Sequence, residues 1–124
     1  MTKKDIPTNG HLKVNTYQRI MLANIVGSTE GPAQLIRKAS QILDLLEMTD
    51  EERAKVKLIT LQTPMGPQLQ WTDADHVWEI DIPDGNLRAF LKQRVTAYIW
   101  PAGSLGTPEK RRDVNALLDM FEVE

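Results

Sequence analysis

With 124 residues, 41% of them apolar and 26% charged, and a formal charge of −2, the chain has the size and makeup of one globular domain with a core of its own. The absence of cysteine excludes disulfides, cysteine-based zinc sites and thiol catalysis, and a pI near 5.7 argues against a dedicated duplex-binding protein. No apolar run is long enough for a membrane span and MTKKDIPTNG lacks the apolar segment of a signal peptide, so no membrane segment is expected, and the lack of cysteine fits a cytoplasmic setting better than a secreted one.

Residues 1–10 are polar and broken by Pro7 and Gly10, which reads as a flexible arm ahead of a single domain over 11–124. His11–Val14 alternates polar and apolar, as a short strand does. Asn15 or Thr16 caps the next element, Tyr17–Val26, which is apolar on nearly all sides and therefore expected at the centre of the domain.

The strongest periodicity lies in Pro32–Met48, PAQLIRKASQILDLLEM. At about 100° per residue, Leu35, Ile36, Ala39, Ile42, Leu43 and Leu46 fall within an arc of roughly 120°, with Arg37, Ser40, Gln41, Asp44 and Glu47 outside it. Pro32 suits the first turn of such a helix. Leu45 falls about 60° off the stripe, which makes it either a second packing surface or an exposed apolar spot. Thr49-Asp50-Glu51-Glu52 has the spacing of a capping box and starts a short helix over Asp50–Val56.

From Lys57 the period changes to two. Lys57–Thr63, the turn Pro64–Pro67 and Gln68–Trp71 predict a hairpin. Val77–Ile82 is a strand with Trp78, Ile80 and Ile82 on its core face. Asn86–Ile99 is a helix striped by Leu87, Phe90, Leu91, Val95 and Tyr98, ended by Pro101. After the loop 101–106, Thr107-Pro108-Glu109 opens a last helix with Val114, Leu117, Leu118 and Phe121 on one face. That stripe suits burial in its own domain or against a second copy. The sum is an α+β domain of four to five helices on a small antiparallel sheet of three to four short strands.

Residues 73–81 hold four carboxylates and His76, oxygen-rich as a hard-cation site would be. Strand alternation turns His76 away from Asp75, Glu79 and Asp81, however, and no calcium-loop spacing is present. A solvated acidic edge that deters strand pairing is the simpler reading, and no metal or other cofactor is expected. The charge then reverses. Arg88, Lys92, Arg94, Lys110, Arg111 and Arg112 face only Glu109 over residues 85–112, a basic patch for phosphate or an acidic protein surface if the last two helices are neighbours. A helix-turn-helix over 17–56 with 57–71 as a wing meets an objection, because its recognition helix would begin with three acids. No Gly-x-Ser-x-Gly, phosphate loop or paired catalytic histidine occurs, so no enzymatic activity is expected. Trp78 reads as core and Trp71 as packing at the end of the hairpin. Trp100, beside Pro101 and Leu105 and near Arg94, has the makeup of a protein-contact hot spot.

The stretches QRIMLANIV, LIRKASQILDLLEMTDEERAKVKL, QLQWTDADHVWEIDI and TPEKRRDVNALLDMFE, spread over most of residues 18–122, resemble a family of small uncharacterised proteins of tailed bacteriophages and prophages. The likeness lies in the order of elements: a helix, a helix running into an acidic Glu-Glu turn, a Trp-bearing strand, a second strand and a terminal helix ending Phe-Glu. The segments LQTPMGPQ and YIWPAGSLG are longer here than in the family pattern. The resemblance implies a viral origin and a small soluble accessory role in the host cell, with no reaction attached. Together these readings favour a non-enzymatic module that binds a host or phage protein, with Trp100, Arg94, Leu105, Arg111 and Arg112 as candidate contact residues. The alternatives are a nucleic-acid-associated regulator using the basic carboxy-terminal helices and, less favoured, a metal-dependent enzyme at the acidic strand.

Overall fold

The computed structural model describes residues 11–73 and 75–123; the arm expected over 1–10 lies outside the described residues. The elements run β1 (His11–Asn15), α1 (Thr16–Gly27), α2 (Ala33–Leu46), α3 (Asp50–Val56), β2 (Ile59–Thr63), β3 (Gly66–Gln70), β4 (Val77–Asp81), α4 (Gly85–Ala97) and α5 (Pro108–Met120). The class is α+β, with five helices among the described residues.

The strands form two separate two-stranded antiparallel sheets, β1–β4 and β2–β3, in place of the single sheet expected. The reason lies in the phase of the apolar residues. In β1–β4 the register sets Leu12 opposite Ile80 and Val14 opposite Trp78, and all four are buried. In β2–β3 the pairing is Ile59 with Gln70, Thr60 with Leu69 and Leu61 with Gln68. Ile59 and Leu61 therefore share one face and Leu69 takes the other, so neither face is apolar enough to join a core.

Helix α1 is central, as its all-round apolar character predicts, and packs against α2, α4, α5, β1 and β4. Its amino end is a capping box: Gln18 N–H donates to Asn15 Oδ1 at 2.8 Å and Asn15 N–H to Gln18 Oε1 at 2.9 Å. Both side chains also grip α5. Asn15 Nδ2 donates to Asp113 Oδ1 (3.1 Å) and Gln18 Nε2 to the Asp113 carbonyl (3.0 Å).

Helix α2 begins one residue after Pro32, whose carbonyl accepts the N–H groups of Leu35 and Ile36. Gly31 precedes it at φ +147°, where a Cβ would stand 2.9 Å from Leu35 Cδ1. The buried line on α2 is narrower than the expected stripe: Ala39, Ile42 and Leu46 are buried, Leu35 and Leu43 half-buried, and Ile36 is 42% exposed. Ile36 thus leaves the predicted core, because α2 meets the domain along an i, i+3, i+7 seam. Leu45 is an exposed apolar spot.

The capping box at Thr49 forms as read, with Glu52 N–H on Thr49 Oγ1 (3.1 Å) and Thr49 N–H on Glu52 Oε1 (3.0 Å). Lys57 ends α3 in the left-handed region at φ 53° and swings the chain into the hairpin. The base of the hairpin is tied down by Thr72, whose N–H donates to the Val56 carbonyl at 2.7 Å, and by Trp71, stacked on Tyr17 at 6.4 Å. Asp84 caps α4, which ends at Ala97, two residues short of the predicted end. Thr107 caps α5 with Pro108 in its first turn, and Val114, Leu117 and Phe121 are buried within the chain's own domain.

Candidate interaction surface

The loop between α4 and α5 is held by its own backbone. Ser104 N–H and Oγ–H both donate to the Pro101 carbonyl (3.2 and 2.6 Å), Gly106 N–H donates to the Gly103 carbonyl at 3.1 Å, and Ser104 is buried beneath. Leu105 is left pointing out, 55% exposed. Its carbonyl accepts Arg111 Nη1 at 3.0 Å, which fixes a guanidinium beside an apolar side chain. Two of the five residues singled out in the sequence are thereby in direct contact.

The other three stand differently. Trp100 is half-buried, edge-on to Tyr98 with ring centroids 5.1 Å apart, and packs against the core. Arg112 is exposed, with Nε 3.6 Å from Asp113 Oδ1. Arg94, in the last turn of α4, is half-buried and its Nε has no hydrogen-bond partner among the described residues. The bases of α4 and α5 were expected to merge if those helices were neighbours. Helix α4 packs on α1 and α2 and α5 on α1, and neither packs extensively on the other. Arg88 is moreover occupied at the end of β4, its Nη1 donating to the carbonyls of Ile82 and Pro83, both at 2.8 Å.

Neither family models, curated proteins nor solved structures give a match to this chain.

The acidic strand disperses its charges. Asp81 pairs with His11, Glu79 lies opposite Lys13, and His76 sits edge-on to Trp78 at 4.3 Å with its Nδ1 3.8 Å from Asp73 Oδ2. Among the described residues no three His, Asp or Glu side chains converge as metal ligands. None of the described helices is long and apolar enough to cross a membrane.

Two features escaped the sequence. Ile99 is 87% exposed, because α4 stops before reaching it. The other is Arg19, only 3% exposed. Its Nε donates to the Leu46 carbonyl (2.8 Å), its Nη2 to the Glu47 carbonyl and to Glu52 Oε1 (both 3.1 Å), and its guanidinium lies 5.1 Å from the centroid of the Trp78 ring. A buried charge demands such partners. Burial would raise the Glu52 carboxyl, but the Thr49 backbone N–H and Arg19 outweigh it and hold the group below its ordinary value. A cavity of about 240 Å³ opens beside this clamp, lined in part by Ile20, Met48, Leu58 and Leu69. The one guanidinium nitrogen without a hydrogen bond, Nη1, is sealed from solvent, so the clamp is structural.

Proposed function

We propose that this is a small phage-type accessory protein of the host cytoplasm that works without catalysis, by binding a host or viral protein. The observation that carries the reading is Leu105, held outward on a loop bonded to itself with Arg111 fixed at its carbonyl. An apolar anchor beside an arginine is the composition of a contact hot spot, and an ordered loop loses little entropy on docking. The exposed Ile99 two residues before Pro101 adds to the apolar surface of the same connection. Nothing comparable supports the metal-dependent reading, since among the described residues no three His, Asp or Glu side chains converge, or the nucleic-acid reading, since α4 and α5 do not pack extensively on each other.

The test is affinity purification of the tagged chain from infected and uninfected cells, with Leu105→Asp and Trp100→Ala run in parallel. A co-purifying protein is expected with the wild type, lost with Leu105→Asp and weakened with Trp100→Ala. Background alone with the wild type, or a partner indifferent to Leu105→Asp, overturns the reading.

A further inference from the structure

The β2–β3 hairpin differs from the β1–β4 pair, which carries His11, Lys13, Glu79 and Asp81, in having no charge to protect it. Residues 58–72 contain no Asp, Glu, Lys, Arg or His, in a chain that is 26% charged. Among the described residues neither outer edge of the hairpin is paired with another strand. Uncharged open edges are templates for strand addition, which proteins ordinarily block with charge, proline or cover.

The register decides which edge is competent. Pro67 lies opposite Gln62 and has no N–H, so that pair cannot exchange two backbone bonds. The mutually bonded pairs are then Ile59–Gln70, Leu61–Gln68 and Thr63–Gly66, and the N–H and C=O groups of Thr60 and Gln62 point away from β3. The β2 edge thus presents a full set of donors and acceptors. On the β3 edge the same phase leaves Leu69 complete and Pro67 without a donor.

We propose that β2 pairs antiparallel with β2 of a second copy of this chain, about a twofold axis at Leu61. In that register Thr60 meets the partner's Gln62 and Gln62 meets the partner's Thr60, so every outward-pointing N–H on β2 finds a carbonyl. Symmetry makes the edge its own complement, which an uncharged strand tolerates and a charged one resists. The equivalent pairing of two β3 edges would leave the Pro67 position without a donor on each side. Leu61 faces the partner's Leu61 at a position not bonded across the new pair, where Cα atoms approach to about 4.5 Å. Ile59 and Leu61, 51% and 37% exposed, lie on one face of the resulting four-stranded sheet. The contact uses different elements from the Leu105 surface and does not depend on that reading.

Pairing over five residues a side buries less than the ~1,200 Å² of standard interfaces, so the dimer is expected to be weak and reversible, visible from about 10 µM to 1 mM. Sedimentation velocity of the full chain over that range is expected to show mass rising towards a dimer. Gln62→Pro removes only an N–H that points away from β3, and is expected to give a folded monomer by circular dichroism. Leu61→Lys and Leu61→Glu should each be monomeric through like charge at the axis, and their equimolar mixture should regain the dimer. A wild type that stays monomeric throughout, a Gln62→Pro chain that still dimerises, or a Lys/Glu mixture that fails to recover the dimer each overturns the proposal.

Discussion

The two strand pairs of this molecule have the same length and the same antiparallel sense, and opposite fates. In β1–β4 the apolar residues keep one phase on both strands, and Leu12, Val14, Trp78 and Ile80 go into the core while Lys13 and Glu79 face each other outside. At roughly 1.5–3 kcal/mol for each large side chain taken from water, that face alone stabilises the domain appreciably. In β2–β3 the phase is split between faces, and Ile59, Leu61 and Leu69 all remain 37–51% exposed. A two-stranded hairpin is marginal by itself, so this one depends on the stacking of Trp71 on Tyr17 and the Thr72 bonds to Val56. Absorption into a core is thus decided by the relative phase of two strands, beyond the apolar content of either.

The largest effect should come from breaking the buried pair. Trp78→Ala removes a core side chain, the Nε1–H bond to Thr16 Oγ1 (2.9 Å) and the ring beneath Arg19, and is expected to cost about 3–5 kcal/mol in chemical denaturation. Arg19 joins the two regions, lying on Trp78 of β4 while holding the corner from which α3 and the hairpin spring. Arg19→Ala should cost about 3 kcal/mol, since two carbonyls and Glu52 lose their donor. It should also change the acid limb of stability. With its carboxyl held low in the fold, Glu52 contributes stability that is present above its ordinary value of 4.5 and lost as pH falls through the lower folded value. Denaturation midpoints measured against pH should therefore fall less steeply on acidification in Arg19→Ala than in the wild type. The smallest effect is expected at the hairpin: Trp71→Ala should cost about 1 kcal/mol globally while speeding amide exchange across β2 and β3 and leaving β1 and β4 protected. Equal loss of protection in both pairs would refute the contrast.

Much of the fold was legible because it rests on local chemistry. The Thr49–Glu52 capping box, the Thr107-Pro108 helix start, the Trp78–Ile80–Ile82 face and the Leu87–Val95 stripe all appear where the spacing puts them. Of the candidate residues chosen from the sequence, Leu105 and Arg111, six positions apart across a helix start, are joined by a hydrogen bond from Arg111 Nη1 to the Leu105 carbonyl. The placement of Arg94 and the full exposure of Ile99 were not legible. Both depend on where α4 unwinds, and Tyr98 leaves the helix at ψ 136° with Pro101 still three residues away.

The sequence by itself determined element type, boundaries to within a residue or two, and the caps at Thr49 and Thr107, because periodicity and capping act between residues a few positions apart. Tertiary structure alone decided three things: that the strands divide into two sheets, that Arg19 is buried, and that α4 and α5 do not pack extensively on each other. Each is a question of which surfaces meet across long stretches of chain. A periodic pattern states that a face must be covered but does not name what covers it. The acceptors of Arg19, at Leu46, Glu47 and Glu52, lie 27, 28 and 33 residues away from it.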